Sequence, residues 1–240
     1  MSKLLEIKNL SYTYKGDSNF KIKLEALELQ KSQICALTGV SGSGKSTLLE
    51  CLGLLRDGFV AERFTLDNLD ISNLDADAKA HLRALNIGYM PQSGGLLPYL
   101  SFEDNLKLQI KLAHPDFSLK RMRESIEALM PLLVRFKLDK LLKSKAQALS
   151  IGQRQRAVFF RALAHHPQIV LIDEPTSALD PANAERIFET MVECAKSLEI
   201  AILLVTHDLH LVSKYHLQNC AYSLEKSFEN LSVFRMQEEL

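Results

Sequence analysis

An α/β fold built around a parallel sheet is predicted by three features of this sequence. Four short apolar runs, ICALTG, NIGYMPQ, IVLIDEP and AILLVTH, recur along the chain, each passing into polar or turn residues. Helical segments separate them, and that alternation builds parallel sheets whose ligands gather at the strands' C-terminal ends. The first run leads straight into a glycine-rich loop, GVSGSGKST, and then into the apolar stretch LLECLGLL, a predicted helix. At 240 residues with 47% apolar content, the chain suits one large domain, or one with a subdomain, around a sizeable core.

Taken in order, the N-terminal runs LLEIKNLSYTY and KIKLEALELQ, split by KGDSN, read as an antiparallel pair. The strand–loop–helix unit follows. Residues 93–148 differ in character: Met122, Ile126, Leu129 and Leu133 keep helical spacing, and Ser101 with Asp104 resembles a capping box. Pro131 falls inside this pattern and is expected to kink or end the helix. This segment reads as a helical subdomain inserted between residues 1–92 and 149–240. The tail runs CAYSLEK and NLSVFRM give two further short strands.

Zero formal net charge leaves no global pull toward nucleic acid or anionic lipid. Lys120, Arg121, Arg123, Arg135, Lys137, Lys140, Lys143 and Lys145 make one region locally basic; a solvated helical face explains them, and a face near lipid headgroups is the sharper alternative. The four cysteines are widely spaced without a C-x-x-C pair, which fits a reducing compartment rather than a disulfide framework or zinc site. No signal-like apolar region follows Met1, and the longest apolar run, IAILLV, falls well short of a membrane span. A soluble chain that reaches a membrane only through a partner is expected.

The glycine-rich loop carries the chemistry. Gly39, Gly44, Lys45 and Ser46 fit G-x-x-x-x-G-K-[ST], with Val40, Ser41, Gly42 and Ser43 inside the loop and Thr47 just after it. Glycines let successive backbone N–H groups turn inward to phosphate oxygens, and the following helix adds its free amides. Lys45 supplies positive charge to the β- and γ-phosphates, and the Ser46 hydroxyl suits Mg²⁺. In IVLIDEP, Asp173 and Glu174 emerge where a buried strand ends. Asp173 can orient the magnesium shell, and Glu174 can polarise a water for attack on the γ-phosphate. Pro175 is expected to hold Glu174 in an extended backbone. Together these motifs predict hydrolysis of a nucleoside triphosphate held with Mg²⁺.

Along its whole length the chain resembles the ATP-binding-cassette (ABC) ATPases, in which this core carries an N-terminal antiparallel β subdomain and the inserted helical subdomain. LSIGQRQRAVFFRALAHHPQIVLIDEPTSALD is similar to the family's signature loop, its helix, the Walker B strand and the D-loop in one stretch. The resemblance implies Gln92 as the Q-loop residue, a ligand for Mg²⁺ or water, and His207 as the switch histidine on the γ-phosphate. It implies Tyr14, rather than Tyr12, as the adenine-stacking aromatic, and Asp180 as a bridge across a dimer. His165 and His166 are read as ordinary helix-end residues.

Members of this family dimerise head to tail, so the signature residues Ser150, Ile151, Gly152 and Gln153 are expected to act on ATP held by the opposite subunit, with the helix starting at Gln153. That second subunit is a copy of this chain or a relative. Ile151 departs from the usual glycine; a positive φ there costs about 1–3 kcal/mol, whereas a negative φ with an outward side chain costs little. The reading adopted is that Ile151 is tolerated while Gly152 permits close approach to the γ-phosphate. The resemblance further implies a transmembrane permease partner and a place on the inner face of the cell membrane; Leu96, Leu97, Tyr99 and Phe102 either line a groove for a short coupling helix of that partner or are core residues. Export of lipid, lipoprotein or drug-like cargo is slightly favoured, with solute import as the alternative. DNA-repair and ribosomal ATPases of this fold carry long insertions or tandem copies that this sequence lacks.

Overall fold

The computed structural model describes residues 3–14, 20–224 and 231–236. The turn KGDSN and the end of CAYSLEK lie outside the described residues. Ten strands form one sheet in the order β5-β4-β1-β2-β10-β9-β3-β8-β7-β6. Its two halves have different origins. On one side β1 (Leu5–Thr13), β2 (Lys21–Leu29), β4 (Arg63–Leu66) and β5 (Leu69–Asp70) pair antiparallel. On the other, β9 (Gln218–Leu224), β3 (Ile34–Thr38), β8 (Ala201–Val205), β7 (Ile169–Asp173) and β6 (Ile87–Met90) run parallel. The C-terminal strand β10 (Leu231–Met236) joins them, parallel to β2 and antiparallel to β9.

Burial explains which strands are central. Every residue of β3, β7 and β8 is buried, as expected for parallel strands covered on both faces. Alternate residues serve opposite cores: Val170 and Ile172 of β7 pack on one side, Ile169 and Leu171 on the other. The first core is closed by α3 (Phe102–Ala113), α4 (Leu119–Arg135), α5 (Ile151–Leu163) and α6 (Pro181–Ser197). The second lies under α1 (Lys45–Leu52) and α2 (Ala76–Asn86) and includes the antiparallel strands. A short helix, α7 (Leu209–Lys214), follows β8.

Ser101 caps α3 by accepting from Asp104 N at 3.0 Å. The return half of the expected box differs: the Ser101 hydroxyl donates to the Asp104 carboxylate at 2.6 Å. The break expected at Pro131 does not end α4, which continues to Arg135. Leu129, Leu132 and Leu133, on both sides of the proline, are buried in the shared core; their packing outweighs the one backbone hydrogen bond that proline removes. Residues 93–148 hold α3, α4 and two 3₁₀ turns, and their core is continuous with that of α5 and α6.

Candidate nucleotide site

Parallel register sets the site. Asp173 lies opposite Val205 and Val205 opposite Leu37, so β7, β8 and β3 end level. The cradle loop leaves β3, Glu174 leaves β7, and Thr206 and His207 leave β8. Backbone bonds tie these ends together, from Glu174 N to Val205 O at 3.0 Å and from Thr206 N to Leu37 O at 3.2 Å.

Gly39, Gly42 and Gly44 all take positive φ, at 148°, 79° and 91°, which lets the loop curl with its amides inward. Gly44 is also pressed from outside. A Cβ there would lie 2.4 Å from Ile22 Cδ1 of the antiparallel subdomain. Lys45 is buried and its Nζ donates to Gly39 O at 3.0 Å and Val40 O at 2.9 Å, closing the loop over its own cation. Val40, Ser41 and Ser46 are exposed at its mouth. Ser43 is buried with a hydroxyl that has no partner, and a phosphate oxygen in the loop is the kind of group that would satisfy it. The Ser46 hydroxyl donates to Asp173 Oδ1 at 3.0 Å. That pair of oxygens fits Mg²⁺, which is typically held by one or two protein oxygens, phosphates and water.

The charges are interdependent. Burial lowers the Lys45 pKa, opposed by the carboxylates of Glu174 and Asp173. Burial raises Asp173, opposed by the Ser46 hydrogen bond. Burial also raises Glu174, with His207 and Lys45 pulling down and Asp173 adding to the rise. His207 Nε2 stands 2.7 Å from Glu174 Oε1. This is ion-pair distance for a protonated imidazole, without the alignment of a hydrogen bond. The expected extended backbone at Glu174 is not found, since its φ is +46°. Besides its amide bond to Val205, its carbonyl accepts from Ser177 Oγ at 3.2 Å. The two bonds hold a sharp turn that proline's bias against the right-handed helical well does not prevent.

Tyr14 donates or accepts at Thr47 Oγ1 through its hydroxyl, and its ring packs edge-on against Tyr12 at 5.2 Å and near Phe20 at 5.8 Å. The aromatic therefore sits beside the first turn of α1. Gln92 is exposed two residues beyond β6, and the contacts joining Lys45, Ser46, Asp173, Glu174 and His207 do not reach it.

The residues expected to form the signature loop make up the cap and first turn of α5. The helix begins at Ile151, two residues before the expected Gln153, with Ser150 as its cap. Ser150 Oγ accepts from Gln153 N at 3.3 Å, and Gln153 Oε1 accepts from Ser150 N at 3.0 Å. Ile151 takes no positive φ and is 59% exposed, so a β-branched side chain is accommodated without backbone strain. Gly152 is the position where glycine matters sterically, because a Cβ would lie 2.6 Å from Asn183 Oδ1. Asn183 in turn donates to Asp180 through N at 2.9 Å and Nδ2 at 2.7 Å. Asp180 is thus the cap of α6, and Asn183 packs that cap against the signature helix. The sequence carries this contact only as an unmarked asparagine, three residues after the D-loop aspartate.

His165 is buried, with burial lowering its pKa to about 4, and lies 3.5 Å from the Gln109 amide nitrogen. His166 Nε2 lies 3.1 Å from Ser125 O. Among the described residues no cluster of three or more His, Cys, Asp or Glu side chains is placed to hold a metal, and all four cysteines are buried free thiols.

This site stands beside clear relatives. The ABC transporter family profile matches residues 23–177. The lipoprotein-releasing system ATP-binding protein LolD of Idiomarina loihiensis is 37% identical over 213 residues, covering 88% of this chain and 91% of that protein. The methionine import ATP-binding protein MetN of Histophilus somni is 34% identical over 213 residues, covering 88% of this chain, which spans only 60% of that longer protein. A dimeric post-hydrolysis state of an ATP-binding cassette bound to ADP and Pi shares a TM-score of 0.71 at 28% identity, covering 90% of this chain and 93% of that one. The chain belongs to the ABC transporter family. Within that family it is an ATP-binding, ATP-hydrolysing cassette.

Crowding at Gly152 has a measurable signature. Gly152→Ala is expected to lower stability to urea by about 1–3 kcal/mol, and Asn183→Ala in the same chain should recover half or more of that loss; strictly additive losses would place the penalty elsewhere.

The raised Glu174 pKa fixes a second outcome. A carboxyl that keeps its proton to higher pH when folded contributes stability fully below its unfolded value of 4.5, and loses it as pH rises through the folded value. Glu174→Gln should therefore melt above the native chain at pH 7, with the gap closing as the pH falls below 4.5. A lower melting temperature at pH 7 would mean that the His207 contact outweighs the cost of burying the charge.

Proposed function

We propose that this chain is the motor subunit of a transporter, one of two cassettes that close on Mg-ATP and thereby move a separate membrane subunit. The observation that carries this reading is the joint placement of Lys45, Ser46, Asp173, Glu174 and His207 at the level ends of β3, β7 and β8. In it, residues Gly39 to Thr47 bind the phosphates, with Lys45 turning from its loop carbonyls to the β- and γ-phosphates. Ser46, Asp173 and Gln92 hold Mg²⁺, which when bound neutralises phosphate charge. Glu174, held against a raised pKa, accepts a proton from the attacking water, and His207 keeps that carboxylate oriented and contacts the γ-phosphate. Tyr14 offers its ring to the adenine.

The second cassette completes the site. The hydrogen bonds described for residues 150–156 run within residues 147–156 and to Phe136, so the free amides at the start of α5 remain available to a nucleotide on another subunit. Asp180, linked to Gly152 through Asn183, brings the D-loop to the same interface. Dimerisation of the related cassette bound to ADP and Pi supports this arrangement.

Among the described residues no helix is long and apolar enough to cross a membrane. The proposed place of the chain, on the inner face of the cell membrane and held by a permease subunit, is supported by its transporter relatives. Leu96, Leu97 and Tyr99 remain available for that contact. Phe102 does not, being fully buried in the core. Export of lipid, lipoprotein or drug-like cargo is slightly favoured over solute import: the lipoprotein-release relative at 37% identity supports the first, and the methionine-import relative at 34% identity supports the second.

Glu174→Gln is expected to retain ATP binding within about twofold and lose at least 99% of turnover in the assembled complex, as read by nucleotide titration and phosphate release; undiminished turnover would remove Glu174 from the water-activating role. In the same complex, Ile151→Gly should change turnover by less than about tenfold, or 1.4 kcal/mol of barrier, and a larger gain would show that the isoleucine impairs the signature loop.

A further inference from the structure

The arginine that follows α1 is tied back to the aromatic pair beside the cradle. Tyr12 lies in β1, and Tyr14, two residues on, continues the alternation of that strand; both are partly buried against the second core. The Tyr12 hydroxyl accepts from Arg56 Nη1 at 3.2 Å, and the guanidinium carbon stands 5.5 Å from the centre of the Tyr12 ring. Arg56 is fixed in turn by Glu50, in the last turn of α1. Its Nε and Nη2 both donate to Glu50 Oε2, at 2.8 Å and 2.6 Å.

A costly turn brings Arg56 to this place. Leu54 takes φ +56° just past the end of α1, where glycine is the usual residue. The Leu54 amide donates to Cys51 O at 3.1 Å and the Leu55 amide to Glu50 O at 2.9 Å, so the chain reverses and lays Arg56 beside Glu50. The same loop then joins β1 next to Tyr12, through backbone bonds between Val60 and Ser11 at 2.7 Å and 2.9 Å. An Arg–Glu pair in open solvent contributes little. Here the two side chains are only 37% and 34% exposed, and the remaining donor of the arginine reaches an aromatic hydroxyl.

We propose that Arg56 is a positioning residue for the nucleobase: with Glu50 it holds Tyr12, which packs nearly at right angles to Tyr14 and so sets the plane that Tyr14 presents to adenine. The inference rests on the reading of Tyr14 as the adenine platform and adds the residues that aim it. Tyr14 is bonded through its hydroxyl to Thr47, and Thr47 and Glu50, three residues apart, share one face of α1. One short helix therefore follows the phosphate loop and carries both anchors of the aromatic pair along its side. The spacing from phosphates to base is set by that helix. A ring held in place beforehand binds the base without the cost of ordering it on contact, so the effect falls on affinity rather than on the chemical step.

The test compares ATP with a ligand that lacks the base. Calorimetry on the full chain with Mg²⁺ reads binding of ATP and of inorganic tripolyphosphate. Arg56→Met is expected to weaken ATP at least fivefold while leaving tripolyphosphate within twofold of the native chain. In the assembled complex it should raise KM for ATP with kcat unchanged within twofold. Tyr12→Phe keeps the ring and every charge but removes the accepting hydroxyl, and should weaken ATP at least threefold. The double variant should bind ATP within twofold of Arg56→Met alone, because both changes remove one contact. If Arg56→Met melts early, Tyr12→Phe carries the comparison of ATP with tripolyphosphate.

Equal weakening of ATP and tripolyphosphate in Arg56→Met means that the arginine acts by its charge on the phosphates, and overturns the positioning role. ATP affinity within twofold of native in both Arg56→Met and Tyr12→Phe, with a tenfold loss in Tyr14→Ala, overturns the same role and leaves the adenine reading intact. Strictly additive losses in the double variant overturn the path from Arg56 through Tyr12. Unchanged ATP affinity in Tyr14→Ala overturns the adenine reading itself.

Discussion

The in-register alignment of three parallel strands is the constraint on which the rest depends. Because Leu37, Val205 and Asp173 share one level, the segments that follow them converge without needing long side chains to span a gap. A one-residue slip of β7 would exchange its two faces between the two cores and turn Asp173 away from Ser46. The buried, two-sided packing of β3, β7 and β8 makes that slip prohibitive. Geometry at the candidate nucleotide site is thus a product of hydrophobic burial several residues away.

Convergence has an electrostatic consequence. Lys45, Asp173 and Glu174 are all buried, and each alone would be forced toward its neutral form. Together they moderate one another, the ammonium opposing the rise of both acids and the acids opposing the fall of the ammonium. His207, half exposed at the end of β8, adds a partner whose charge depends on protonation. The left-handed backbone at Glu174 belongs to the same arrangement. It ends β7 abruptly and keeps the carboxylate over the cradle at a conformational cost that the bonds to Val205 and Ser177 hold in place.

The second functional element, α5, is positioned by close approach. A Cβ on Gly88 of β6 would lie 2.4 Å from Ala162 O, so the missing side chain lets the helix lie against the sheet edge. At its other end Gly152 meets Asn183, which is fixed by Asp180. The helix is therefore seated at both ends by glycine. Arg156 further ties it to residues 93–148 through the Phe136 carbonyl at 2.8 Å.

Much of this was legible in the linear chain. The apolar runs located β3, β6, β7 and β8, because a strand buried on both faces must be apolar throughout, and the glycine–lysine–serine spacing located the cradle, because phosphate binding needs that backbone. The helical spacing from Met122 to Leu133 located α4. Local rules were less sure where tertiary contacts competed with them: Pro131 did not stop a helix whose neighbours are buried, and Pro175 did not hold Glu174 extended against bonds from β8 and the following turn. The short strands β4 and β5 went unseen, being too brief to show a period. The sequence by itself determined the strand cores, the phosphate loop and the acids that end β7, since each depends on residues adjacent in the chain. Only the tertiary structure decided that Ile151 is exposed without a positive φ, that Gly152 answers to Asn183, and that Arg56 reaches Tyr12, since those facts depend on which surfaces folding brings together.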